Sequence, residues 1–112
     1  MPSATCNQWD VVVVPFPFTD RPQAKRRPGL VLSKRTFNLN GHTVLAMITS
    51  SAHEPWPGDI PITRLDAAGL KTSCMVRLKL FTLDNRLILR VIGHLAESDS
   101  GRVADELSAH LT

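Results

Sequence analysis

The longest apolar run near the start of the chain, "DVVVVPFPF" (Asp10 to Phe18), is β-branched and unbroken until Pro15 and Pro17. A strand apolar at every position buries both of its faces, so this one is predicted at the centre of a sheet or closing a barrel. "TDRPQAKRRP" then reads as a polar loop bounded by Pro22 and Pro28, and "GLVLS" (Gly29 to Ser33) as a short buried strand. Ser33 is placed to N-cap a brief helix over "KRTFN", which "NLNG" (Asn38 to Gly41) terminates. "HTVLAMITS" (His42 to Ser50) is a third strand, followed by the loop "SAHEPWPG" with its two prolines. "DIPIT" is an edge strand, because Pro61 cannot donate to a ladder, and "RLDAAGL" is one helical turn closed by Gly69.

In the second half, "SCMVRLKLFTL" alternates. Met75, Arg77, Lys79 and Phe81 fall on one side and Cys74, Val76, Leu78 and Leu80 on the other, predicting a half-buried strand with two cations facing outward. An Asp84-Asn85 turn leads into a further strand over "NRLILRVIGHL". Only "SDSGRVADELSAHL" has helical spacing. Val103, Leu107 and Leu111 recur every four residues, Ser98 or Asp99 can cap the start, and His110 sits in the last turn. Five or six short strands, one terminal helix and no βαβ alternation predict a mainly β protein with helical additions (α+β), a small antiparallel barrel with a C-terminal helix.

Composition narrows this further. With 112 residues the chain is read as one domain, 1–112, and its 43% hydrophobic content argues against disorder. No apolar run is long enough to cross a membrane. "MPSATCNQWD" shows no basic segment running into an apolar one, so a cytoplasmic location is expected. Cys6 and Cys74 stand in no metal-binding spacing and are read as reduced thiols, with a disulfide the other reading; His42, His53, His94 and His110 are scattered. No metal site and no cofactor are therefore predicted. The net charge is only +3, but it is unevenly spread. Residues 20–36 carry Arg21, Lys25, Arg26, Arg27, Lys34 and Arg35 against Asp20 alone, whereas residues 97–112 carry Glu97, Asp99, Asp105 and Glu106 against Arg102. This separates a basic face from an acidic terminal element.

Three polar stretches could carry chemistry. Arg27 precedes Pro28, which holds its backbone extended and aims its side chain; a guanidinium suits a phosphate that gains charge, although an arginine lying over Phe16 or Phe18 fits equally. Thr49, Ser50 and Ser51 place three hydroxyls where strand three ends, able to contact phosphate or ribose, or simply to satisfy the loop backbone. In the third, His53 is a general acid or base or else a plain loop histidine, and Trp56 a stacking platform for a base or a cover for the barrel end. Arg77 and Lys79 are phosphate contacts or solvent-facing strand cations. Nothing in the sequence orients the His53 ring.

The blocks "WDVVVVPFPFTD", "AKRRPGLVLS", "AMITSS", "GLKTSCMVRLKLFTLD" and "GHLAESDSGRVADEL" resemble, in order and spacing, the MazF/PemK family of toxin endoribonucleases, from about residue 9 to residue 111. The resemblance implies an SH3-like barrel of the CcdB/MazF/PemK type, working as a homodimer. It also implies the toxin of a type II toxin–antitoxin system, inhibited by a cognate antitoxin with an acidic tail. The implied activity is metal-independent cleavage of single-stranded RNA, usually messenger RNA, by attack of a 2′-hydroxyl, leaving a 2′,3′-cyclic phosphate and a 5′-hydroxyl. The family's arginine of the "RP" block matches Arg27, its threonine after strand three matches Thr49, and a strand arginine used by some members matches Arg77; these are the expected catalytic residues. Lys25, Arg26, Ser50, Ser51, His53, Trp56 and Lys79 are expected to bind RNA. Two departures stand out: Lys79 occupies the place of an aspartate proposed as base in some members, and Trp9 replaces the usual glycine before strand one. The remaining alternatives are a growth inhibitor without enzymatic activity, like the CcdB-type gyrase poisons, and a module that holds RNA or antitoxin without cutting.

Overall fold

The apolar and alternating stretches form strands, as a computed structural model of the chain describes for residues 5–16 and 25–111. Elements follow in the order β1 (Asp10–Phe16), β2 (Lys25–Val31), α1 (Arg35–Asn38), β3 (His42–Ser50), β4 (Ile60–Pro61), α2 (Leu65–Ala68), β5 (Cys74–Asp84), a 3₁₀ turn (Asn85–Leu87), β6 (Arg90–His94) and α3 (Glu97–Leu111). The strands make one antiparallel sheet in the order β4-β5-β3-β2-β1-β6, curled into a half-barrel with the C-terminal helix against it.

β1 is apolar from Val11 to Phe16 because it is covered twice. Val11 joins Leu30, Ala46, Ile48, Val76, Leu95 and Val103 in a cluster beneath α2 and α3, while Val12 and Val14 join Val31, Leu45, Leu83 and Ile88 on the opposite face. β4 lies at the sheet edge, where Pro61 is tolerated. α2 closes on Gly69 in the left-handed conformation and packs directly on β6. A Cβ at Gly69 would stand 2.0 Å from the Ile92 carbonyl oxygen, and one at Gly93 2.3 Å from the Ala68 carbonyl carbon.

Several expectations are corrected. Lys25, Arg26 and Arg27 belong to β2, not to a loop, because they pair with Phe16, Pro15 and Val14 of β1; residues 17–24, including Phe18 and Arg21, lie outside the described residues. Ser33 does not cap α1. Its hydroxyl donates to Asn38 Oδ1 at 2.5 Å and accepts from Val44 N at 2.9 Å, locking α1 onto β3. The expected strand over 85–95 is a 3₁₀ turn followed by a shorter strand, since Ile88 turns inward to the second cluster. α3 begins at Glu97, ahead of both proposed caps, and its apolar stripe stops at Leu107, leaving Leu111 54% exposed.

Asp99 serves a different end from the one expected. It accepts from Thr63 N (3.1 Å), Thr63 Oγ1 (2.7 Å) and Arg64 N (3.0 Å), and pairs with Arg102. It thereby supplies the turn before α2 with acceptors that the four-residue helix cannot provide. Burial alone would raise this carboxyl; the hydrogen bonds from Arg64, Thr63 and Arg102 outweigh it and hold it below the usual carboxylate range.

Trp9 is the non-glycine residue with positive φ (73°) among the described residues. Its backbone is clamped by Trp9 N donating to Val31 O (2.8 Å) and Leu95 N donating to Trp9 O (2.9 Å), and its indole packs on the first cluster. The departure from glycine thus carries backbone strain of about 1–2 kcal/mol, offset by indole burial. Cys6 and Cys74 are buried, unpaired thiols; burial and then the charge of Asp10 push the Cys6 thiol up.

Candidate functional site

The β2–β3 ladder runs Val31↔Leu45, Leu30↔Ala46, Gly29↔Met47 and stops there. Next in β2 is Pro28, which has no N–H to extend it. Carried two residues further, the same register sets Arg27 opposite Thr49, and between the separated strands lies a cleft of about 210 Å³. Arg27, Met47, Ile48 and Thr49 line it from β2 and β3, Phe16 from β1, His53 from the following loop, and Arg77 and Lys79 from β5.

A bulge in β5 shapes the far wall. Arg77 pairs with Met47 but Ala46 pairs with Leu80, leaving Leu78 and Lys79 as the extra residues. The predicted alternation holds, since Met75 and Arg77 pair with Thr49 and Met47; Lys79 is exposed as expected, but Met75 is buried and the Arg77 side chain is only 11% exposed. Arg77 Nε and Nη2 fork onto Asp59 at 3.2 and 3.0 Å, Nη2 also donates to Glu54 O at 2.6 Å, and the guanidinium lies 4.7 Å from the Trp56 ring centroid. Asp59 in turn accepts from Trp56 N at 2.7 Å. Burial would raise the Asp59 carboxyl, but hydrogen bonds from Arg77 and the Trp56 amide, with the Arg77 charge, hold it below the usual range. Arg77 is therefore the brace of the 54–59 segment, with Trp56 exposed beside the cleft. Lys79 Nζ sits 5.8 Å from the Phe16 centroid.

Of the expected residues, the cleft gathers Arg27, Thr49, His53, Arg77 and Lys79. Lys25 shares the Arg27 face of β2 at the rim, whereas Arg26 falls on the opposite face by strand alternation. Ser50 and Ser51 do not line the cleft. The Ser50 hydroxyl accepts from Ala52 N at 3.2 Å and Ser51 N donates to Ser73 O at 3.1 Å, so both shape the turn. Thr49 Oγ1 lies 2.7 Å from His53 Nδ1. Sequence reasoning missed Asp59, whose importance comes from its approach to Arg77 across 18 residues, and it offered Phe16 as a surface for Arg27, where the structure sets Lys79 beside that ring. Among the described residues no cluster of three or more metal-binding side chains occurs, and no helix is long and apolar enough to cross a membrane.

Residues 7–111 match the family of PemK-like, MazF-like toxins of type II toxin–antitoxin systems. The chain belongs to this family. Its sheet and helix superpose on solved structures of PemK/MazF-like proteins at low identity, which speaks to fold alone. The MazE–MazF complex of Deinococcus radiodurans aligns with TM-score 0.76 and 21% identity, over 96% of this chain and 97% of that one. The toxin MazF-mt6 of Mycobacterium tuberculosis aligns with TM-score 0.72 and 19% identity, over 89% and 93%. A mycobacterial endoribonuclease in complex with its cognate antitoxin aligns with TM-score 0.71 and 13% identity, over 94% and 91%. No curated protein matches the sequence.

Proposed function

We propose that this PemK/MazF-like toxin is an endoribonuclease that cuts single-stranded RNA at short sequences within one toxin domain spanning the chain. The substrate's own 2′-hydroxyl attacks the adjacent phosphorus and the bond to O5′ breaks, leaving a 2′,3′-cyclic phosphate and a 5′-hydroxyl. The nucleophile comes from the RNA, so no metal-activated water enters this scheme. The observation that carries the reading is that Arg27 and Thr49 line one cleft from adjacent strands. Charge gathers on the non-bridging oxygens in the transition state, and a fixed donor there contributes on the order of 3 kcal/mol. Arg27 supplies a permanent cation and Thr49 a hydroxyl.

Lys25, Lys79 and, through the longer-range field, Arg26 attract the phosphodiester backbone, and Trp56 stacks an unpaired base. Arg77 acts through the segment it braces, because its guanidinium is already engaged by Asp59, Glu54 and Trp56. Ser50 and Ser51 shape the turn that follows β3 rather than grip RNA. The partners in this reading are an antitoxin, the class of partner present in solved complexes of similar fold, whose acidic tail would complement the basic cleft, and a second copy of the toxin. The protein acts in the cytoplasm, where messenger RNA is found.

Incubation of the purified protein with a long RNA in EDTA tests this reading. Discrete fragments with 5′-hydroxyl and 2′,3′-cyclic phosphate ends are expected; intact RNA bound without cleavage would leave a binding module in place of a nuclease.

A further inference from the structure

His53 is exposed and sits on a loop, yet its ring is fixed. β3 ends at Ser50 and the chain turns back at once: His53 N donates to Ser50 O at 3.2 Å, the Ser50 hydroxyl accepts from Ala52 N, and Ser51 N is tied to Ser73 of the neighbouring segment. That turn returns the imidazole to Thr49, four residues earlier, with Nδ1 2.7 Å from Oγ1. A ring held at one nitrogen offers only the other, Nε2, for chemistry. Both members of the pair line the cleft that holds Arg27.

We propose that His53 is the general base of the cleavage and that Thr49 sets its tautomer; the proposal rests on the ribonuclease reading above. Nδ1–H donates to Thr49 Oγ1, and the Thr49 hydroxyl donates its own hydrogen bond to a non-bridging phosphate oxygen, keeping its proton. Nε2 keeps its lone pair and takes the proton from O2′ as the P–O2′ bond forms and the P–O5′ bond breaks. The departing O5′ takes a proton from a water molecule, and the hydroxide so formed is neutralised by the proton that the imidazolium releases. The charged groups around the pair are Arg27 from β2, Arg77 and Lys79 from β5, and Glu54 in the same loop, with Asp59 already paired to Arg77. The pair also answers what Lys79 leaves open, since an ammonium cannot accept the proton that an aspartate would.

The test measures single-turnover cleavage of an oligoribonucleotide against pH, together with binding of the same oligonucleotide carrying a 2′-deoxy residue at the cut. His53→Gln is expected to bind the deoxy oligonucleotide within about twofold of wild type and to cut about 10²–10⁴-fold more slowly. It also loses the acid-side fall in rate that a single protonation gives the wild type. His53 is exposed, and matching melting curves confirm the variant's fold. Cleavage by His53→Gln within about threefold of wild type, or slow cleavage with the acid limb intact, overturns the assignment. The ring is tested separately by nitrogen NMR of the protein alone. An Nδ1–H tautomer that Thr49→Val redistributes is expected, and an Nε2–H tautomer in wild type overturns the base role even if RNA is cut. Wild-type protein that leaves RNA intact while showing the expected tautomer overturns the ribonuclease reading itself.

Discussion

Asp99 and Asp59 are both buried carboxylates paired with an arginine, and they secure different parts of the molecule. Asp99, 1% exposed, sits beneath the covered face of the sheet, where its acceptors meet two backbone N–H groups, a hydroxyl and Arg102. It joins α3 to the turn before α2, so its loss is felt by the whole fold. Asp59, 7% exposed, stands at the cleft side and binds Arg77 and the Trp56 amide. It holds one loop, and the cost of losing it is confined to that loop. Among the described residues no buried side-chain polar atom lacks a partner, so the two carboxylates differ in what the pairing secures and not in how completely it is made.

That contrast can be broken from either end. Asp99→Ala leaves the Thr63 and Arg64 N–H groups without their acceptor and takes from Arg102 its carboxylate, and it is expected to cost about 3–5 kcal/mol of stability in urea denaturation, close to unfolding for a small domain. Asp59→Ala should cost about 1–3 kcal/mol, read mainly as faster amide exchange over residues 54–59 and weaker RNA binding, with the sheet protected. The two carboxyls also predict an acid limb of stability. Both are held below the usual 3.8, so their stabilisation is fully present above that value and is lost as pH falls through their lower folded values. Each Ala variant should flatten that limb. The smallest effect is expected at Trp9. Trp9→Gly relieves the left-handed backbone but exposes part of the first cluster, for a net loss of about 1 kcal/mol in the same denaturation experiment.

How far the sequence alone reaches follows from the same physics. Strands covered on both faces, such as β1 and β3, were legible because apolar continuity needs no partner to be recognised. The turn closed by Gly69 and the edge position of Pro61 were legible from backbone chemistry. Arg27 and Thr49 were visible as polar residues at strand ends, and their shared cleft depends on a register that only the paired strands reveal. Arg77 was read as facing outward because local alternation cannot tell solvent from a cleft wall. Asp59 and the His53 ring were hidden for a related reason: each acquires its meaning from one contact made by a folded loop. Arg26 illustrates the converse. Adjacent cations look like a single patch in sequence, but a strand sends neighbours to opposite faces.

In the proposed chemistry a guanidinium from β2 and a hydroxyl from β3 meet on one phosphodiester. The most direct measurement is the single-turnover cleavage rate of Arg27→Ala, with fold checked by melting and affinity by the 2′-deoxy oligonucleotide. A folded variant cutting about 10²–10³-fold more slowly than wild type is predicted. A folded variant that cuts at the wild-type rate contradicts the account.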